Sequence, residues 1–175
     1  EPSRMSKQPF QMPQPMGHFA GELERRADSF LESFRRLTNP YDPELSFPAY
    51  SLFVHSLELY LKAFLATTDH ITKGKIRKYN HRLTELYKEC TNRNLPYISD
   101  LSLYVAHCEQ MTSNQDLKYP SGYTLNFPRP PECIELAENL RDSIHPIVSS
   151  AFISAELKFA SDTRHLRGRK IVWSD

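Results

Sequence analysis

The chain has 175 residues, a length that suits one domain, and its 39% hydrophobic and 25% charged residues are typical of a globular protein with a substantial core. The formal net charge of +1 argues against a protein that coats nucleic acid non-specifically, although it leaves room for a local basic site. The three cysteines are widely spaced and form no CxxC pair. We therefore expect neither a metal site nor a cofactor.

The N-terminal segment, residues 1–16, is polar and rich in Pro and Gln, which predicts a flexible arm. Residues 1–4 precede Met5 and are interpreted as a remnant of cloning. No apolar run is long enough to span a bilayer, and no secretory signal is visible. The sequence thus predicts no membrane association and a cytoplasmic location.

Apolar residues at helical spacing predict about five helices between residues 17 and 160. The predicted helices cover residues 18–38, residues 49–67, a segment capped by Asn80, residues 98–111, and a last segment that starts at residue 130. Their short connections favour an all-α fold, an antiparallel bundle. Residues 161–175 are predicted to form a basic C-terminal tail.

The second predicted helix is apolar nearly all round but carries one polar line of His55, Glu58 and Lys62. Glu58 and Lys62 lie four residues apart in the order that favours an ion pair. An unpaired charge on a buried helix is very unfavourable, so these groups should find partners on a neighbouring helix. The line is either a structural lock between helices or part of a ligand or catalytic site.

A basic segment follows this helix and contains Arg77, Lys78 and Arg82 with no acidic residue between them. His81 and Arg82 are predicted to lie in the first turn of the third helix, where free N–H groups attract anions. The segment is either a solvated loop or a contact for a phosphate group or an RNA backbone.

The stretch of residues 47–92 resembles the HEPN superfamily, a group of helical bundles named for nucleotide binding. Many members have an apolar helix that ends in Leu-Lys-Ala, followed by a Gly-His-Asp-Leu turn. This chain has Leu61-Lys62-Ala63 and then Asn80-His81-Arg82-Leu83. The resemblance implies a four- or five-helix bundle, often a homodimer, and often part of a stress or defence system such as a toxin–antitoxin pair.

Some HEPN proteins are metal-independent endoribonucleases with an Arg and a His separated by a few residues. The nearest pair in this chain is Arg141 and His145, which share one helical face. A His can transfer protons near neutral pH, and an Arg can stabilise the charge on a phosphate in the transition state. The alternative is a solvated Arg beside a structural His.

The long segment of residues 113–131 mixes cations with aromatic residues, among them Lys118, Tyr119 and Arg129. Single-stranded nucleic acid is bound by that combination, but aromatic residues that pack a loop onto a bundle look the same in sequence.

Three hypotheses remain open from the sequence. The first is a nucleotide- or RNA-associated HEPN-like module that uses Lys62, the basic segment, His81 and the long loop. The second is an endoribonuclease that uses Arg141 and His145. The third is a non-catalytic bundle that binds a partner protein.

Overall fold

The computed structural model describes residues 9–166 and 169–174, which form six α-helices, two 3-10 helices and two short strands. The α-helices are α1 (Met16–Leu37), α2 (Ser46–Ala66), α3 (Lys73–Arg77), α4 (Leu83–Asn92), α5 (Leu101–Ser113) and α6 (Pro130–Asp162). The 3-10 helices are Pro43–Leu45 and Arg164–Leu166, and the strands are β1 (Phe10–Pro13) and β2 (Ile171–Ser174). The all-α class is therefore confirmed, with one small sheet added. The additional helix, α3, lies in the segment that was predicted to be a basic loop.

Helix α2 is the central element of the bundle, as its apolar composition predicts. Fourteen of its residues are buried, and it packs against α1, α4 and α6. Phe34 near the end of α1 packs on Tyr50 near the start of α2, whereas Asp28 earlier in α1 accepts a hydrogen bond from Tyr60 later in α2. The two helices are therefore antiparallel.

Helix α6 packs along α1 in the antiparallel direction. Arg35 near the end of α1 pairs with Glu138 near the start of α6, and His18 near the start of α1 packs on Phe159. α6 continues through Pro146, and both Pro146 and Asp142, whose carbonyl group loses its helical hydrogen bond to the proline, are exposed residues.

Helix α4 departs from the antiparallel pattern because it runs in the same direction as α2. His81, just before α4, contacts Glu58, and Cys90 at the end of α4 contacts the carbonyl oxygen of Leu61. This arrangement is possible because the connection through α3 carries the chain back along α2 before α4 begins. The connection therefore places the basic segment beside the polar line.

The predicted flexible arm and basic tail are partly ordered against each other. β1 and β2 form a parallel pair with Phe10 opposite Ile171, so the prediction of a flexible arm is wrong for residues 10–13. Trp173 of β2 packs on His18 and Phe159, which docks the tail on the α1–α6 pair of its own chain. Residues 1–8, 167, 168 and 175, which include the interpreted cloning remnant and part of the tail, lie outside the described residues.

Candidate functional site

A pocket of about 230 Å³ opens between α2, the turn that precedes α4 and the C-terminal end of α5. We call it the α2–α5 pocket; its lining residues are Ser51, Val54, His55, His81, Met111, Thr112, Gln115, Leu117 and Lys118. Three of them, His55, His81 and Lys118, were singled out from the sequence. The pocket combines an apolar part with hydroxyl, amide, imidazole and ammonium groups.

Glu58 contacts one residue of the pocket lining, His81, and connects it to Lys62. Its Oε1 accepts a hydrogen bond from Lys62 Nζ at 2.5 Å, and its Oε2 lies 2.9 Å from His81 Nδ1. Burial tends to raise the pKa of Glu58. Hydrogen bonds and charge interactions with Lys62 and with His81 outweigh burial, so the pKa of Glu58 is lowered from its usual value of 4.5. The carboxylate is therefore ionised at neutral pH. Of the polar line, Glu58 and Lys62 contact each other, and Glu58 also contacts His81.

The turn before α4 adopts an unusual backbone conformation that places His81 on Glu58. Asn80 and His81 have φ angles of 33° and 70°, in the left-handed region that non-glycine residues seldom occupy. The turn is closed by a 2.7 Å hydrogen bond from the Arg82 amide to the Tyr79 carbonyl. Strained backbone of this kind persists where surrounding contacts enforce it, and such sites are often functional.

The predicted start of the third helix is wrong by two residues. Helix α4 begins at Leu83, so Asn80 does not cap it and His81 precedes its first turn. The amide of Thr84 in that turn donates to the carboxylate of Glu109 at 2.9 Å. A carboxylate from α5 thus already occupies the position where the sequence predicted a bound phosphate.

His55 faces the same pocket from α2 and is held by two contacts. Its Nδ1 lies 2.7 Å from the Ser51 carbonyl oxygen, and its ring stacks on Phe30 with centroids 5.4 Å apart. The rings of His55 and His81 lie edge to face, with centroids 5.7 Å apart. His55 is therefore a pocket residue and takes no part in the Glu58–Lys62 pair.

The other predicted RNA contacts lie outside the pocket lining. Arg82 bonds to the Lys78 carbonyl and to Glu85, so its guanidinium group folds back on its own turn. Arg129 pairs with Glu132 at the start of α6. Arg77 and Lys78 are exposed on the same connection as His81, and Tyr119 is exposed next to Lys118.

The Arg141–His145 pair lies on α6 and faces α1, and neither residue lines the α2–α5 pocket. Arg141 donates a hydrogen bond to the Asp142 carboxylate at 2.9 Å, and this hydrogen bond raises the pKa of the Arg141 guanidinium group. His145 Nδ1 lies 3.1 Å from Glu24, and burial raises the pKa of Glu24 despite the contact with His145. The structure therefore separates the two predicted sites.

Sequence reasoning missed most of the α5 side of the pocket. Met111, Thr112 and Gln115 come from the end of α5 and the turn after it, and the periodicity of α5 pointed only to its core face. Gln115 has a φ of 57°, so the chain turns sharply at the pocket edge. Ser51 lies one turn before His55 on the same face of α2, as the sequence spacing predicts, and both residues line the pocket.

Within the described residues, no three His, Cys, Asp or Glu side chains are grouped so that they could hold a metal ion. In the same part of the chain, no helix is long and apolar enough to cross a membrane. Comparisons with protein-family models, curated proteins and solved structures found no match for this chain.

Proposed function

We propose that this chain is a HEPN-like module that binds a nucleotide or a short single-stranded RNA in the α2–α5 pocket. The observation that carries the proposal is the convergence of His55, His81 and Lys118 on one pocket with an apolar part. Ligand sites typically combine an apolar cavity with a few convergent polar groups. The resemblance to HEPN bundles, taken from the sequence, supports the same ligand class.

The size of the pocket limits what it can enclose. Pockets for drug-sized ligands have volumes of about 300–1,000 Å³, and this one has about 230 Å³. We infer that it takes one nucleobase or one ribose against Val54, Met111 and Leu117, with the phosphate at the rim. A short RNA would continue across the surface beyond the pocket.

Lys118 is the cation best placed for a phosphate at that rim. It is exposed, lines the pocket, and has no ion-pair partner among the described residues. Lys62 was predicted to bind nucleotide as well, but its ammonium group is engaged by buried Glu58. We therefore assign Lys62 a structural role in this proposal and Lys118 the phosphate contact.

The structure gives less support to an endoribonuclease based on Arg141 and His145. The guanidinium group of Arg141 is engaged by Asp142, so its charge is partly neutralised before any substrate arrives.

The expected homodimer and the expected partner protein stay predictions. Light scattering coupled to gel filtration would measure whether the protein is a dimer.

The proposal is tested with a fluorescently labelled eight-nucleotide RNA that carries 2′-O-methyl groups, so that it cannot be cleaved. Fluorescence anisotropy should show binding that weakens as salt rises, because phosphate contacts release counterions. Lys118→Ala should weaken binding and reduce the salt slope by about 0.7, the value expected for one contact to a single strand.

The matched control is Lys88→Ala, which removes an exposed lysine from α4 and should leave both affinity and slope unchanged. Absence of binding to the wild-type protein, or equal effects of the two substitutions, would contradict the proposal.

A further inference from the structure

We propose that the α2–α5 pocket selects the nucleobase that it encloses: it takes a base with an exocyclic amino group, cytosine or adenine, and rejects uracil. The inference rests on the proposed function and names the class of RNA that the pocket binds. It is carried by the direction in which the polar side chains of the pocket donate their hydrogen bonds.

Both hydroxyl groups that line the pocket donate to their own helices. Ser51 on α2 donates to the Phe47 carbonyl oxygen at 2.9 Å. Thr112 on α5 donates to the Cys108 carbonyl oxygen, also at 2.9 Å. A hydroxyl group has one hydrogen to donate and two lone pairs that accept. Because each hydrogen is already used within a helix, both oxygens are left as acceptors for a ligand.

The two imidazole rings of the pocket add acceptors of the same kind. His55 Nδ1 lies 2.7 Å from the Ser51 carbonyl oxygen, which cannot donate, so this nitrogen carries the hydrogen. His81 Nδ1 lies 2.9 Å from a carboxylate oxygen of Glu58 and carries a hydrogen for the same reason. In an uncharged ring the other nitrogen, Nε2, is then an acceptor.

The side-chain donors of the pocket lie at its exposed edge. Ser51, His55 and Thr112 are half-buried, whereas Gln115 and Lys118 are exposed in the turn after α5. The ammonium group of Lys118 is assigned to the phosphate. The Gln115 amide has both a donor and an acceptor, so it can pair with either kind of base. The half-buried part of the pocket therefore presents acceptors to the base.

A base that enters this part of the pocket must donate hydrogen bonds to it. Cytosine and adenine carry an amino group with two N–H donors, and uracil has a carbonyl oxygen where cytosine has its amino group. A carbonyl oxygen placed against the oxygens of Ser51 and Thr112 would lose its water without gaining a hydrogen bond, which is unfavourable. RNA that offers cytosine or adenine should therefore bind more tightly than RNA that offers only uracil.

The test compares three fluorescently labelled eight-nucleotide 2′-O-methyl RNAs, made only of cytidine, only of adenosine or only of uridine. Their phosphates are equal in number, and whichever nucleotide enters the pocket presents the same base. In fluorescence anisotropy, the cytidine RNA should bind about tenfold more tightly than the uridine RNA, the ratio expected for one additional hydrogen bond. The adenosine RNA should also bind more tightly than the uridine RNA.

Substitutions at the two hydroxyl groups show whether the preference originates in the pocket. The double variant Ser51→Ala/Thr112→Val removes both oxygens and should bring the affinities for the cytidine and uridine RNAs close together. Thr112→Ser keeps the hydroxyl group and should retain the preference. The matched control is Thr91→Val on α4, where the hydroxyl group also donates to the carbonyl oxygen four residues earlier but lies outside the pocket lining. This control should retain the full preference.

The outcomes separate this inference from the proposed function. Equal binding of the cytidine and uridine RNAs by the wild-type protein would refute the base preference and leave RNA binding intact, and this comparison needs no variant that folds. A preference that persists in the folded double variant would also refute the inference. If the adenosine RNA binds as weakly as the uridine RNA, the assignment of adenine is wrong and cytosine alone is selected. Absence of binding by all three RNAs would refute the proposed function itself.

Discussion

Replacing Lys62 with Met should destabilise the protein by about 2–3 kcal/mol at pH 7. The side chains of Lys62 and Glu58 are 12% and 7% exposed, so the substitution leaves a buried carboxylate without its main partner. Breaking a buried ion pair from one side costs about 3–5 kcal/mol. Because His81 still donates to Glu58, we expect a value at or below the lower end of that range.

The destabilisation caused by Lys62→Met should become smaller as the pH falls. In the wild-type protein the pKa of Glu58 is lowered, so its contribution to stability is present above pH 4.5 and is lost as the pH falls through the folded-state pKa. Without Lys62, burial should raise that pKa, and the variant regains stability when Glu58 takes up a proton. The difference between the two proteins should therefore shrink between pH 7 and pH 4.

Urea denaturation followed by circular dichroism measures both quantities, and the melting temperature at pH 7 should fall by about 4–12 °C. The matched control is Arg36→Met, which breaks an exposed i,i+4 pair with Glu32 and should leave the free energy of unfolding nearly unchanged. Equal effects of the two substitutions, or a Lys62→Met effect that does not change with pH, would refute the buried lock.

Two further substitutions test the α1–α6 contact. Glu24→Gln should stabilise the protein at neutral pH, because burial raises the pKa of Glu24 and its ionised form therefore opposes folding. Denaturation at several pH values should show that this gain in stability disappears as the pH falls through the pKa of Glu24. Gly17→Ala should lower the unfolding free energy by about 1–3 kcal/mol, because the added Cβ would lie 2.2 Å from the Ala151 carbonyl oxygen. Thermal melts should show no such loss for Gly74→Ala in α3, where an added Cβ meets nothing within 4 Å.

The helices could be predicted from the sequence because each apolar stripe depends only on local spacing. The Glu58–Lys62 pair follows in the same way, since both residues lie on α2 one turn apart. The strand pair could not be predicted: β1 and β2 are four residues each, and their pairing brings together opposite ends of the chain.

The pocket depends on contacts between segments that are distant in the sequence. His81 reaches Glu58 only because the chain turns through a left-handed conformation at residues 80 and 81 and α4 then runs alongside α2. The predicted Asn80 cap does not form because Asn80 lies in that left-handed turn and α4 begins only at Leu83, where Glu109 of α5 accepts a hydrogen bond from the amide of Thr84. Periodicity carries no information about either contact.

The central claim, that RNA binds in the α2–α5 pocket, is tested most directly by the imidazole NMR signals of the histidines during titration with the 2′-O-methyl RNA. His55→Ala and His81→Ala assign the two pocket signals, and His145→Ala assigns the signal on α6. The signals of His55 and His81 should shift in a saturable way, while that of His145, which lies outside the pocket against Glu24, stays in place. Shifts at His145 with unchanged signals from His55 and His81 would contradict the account.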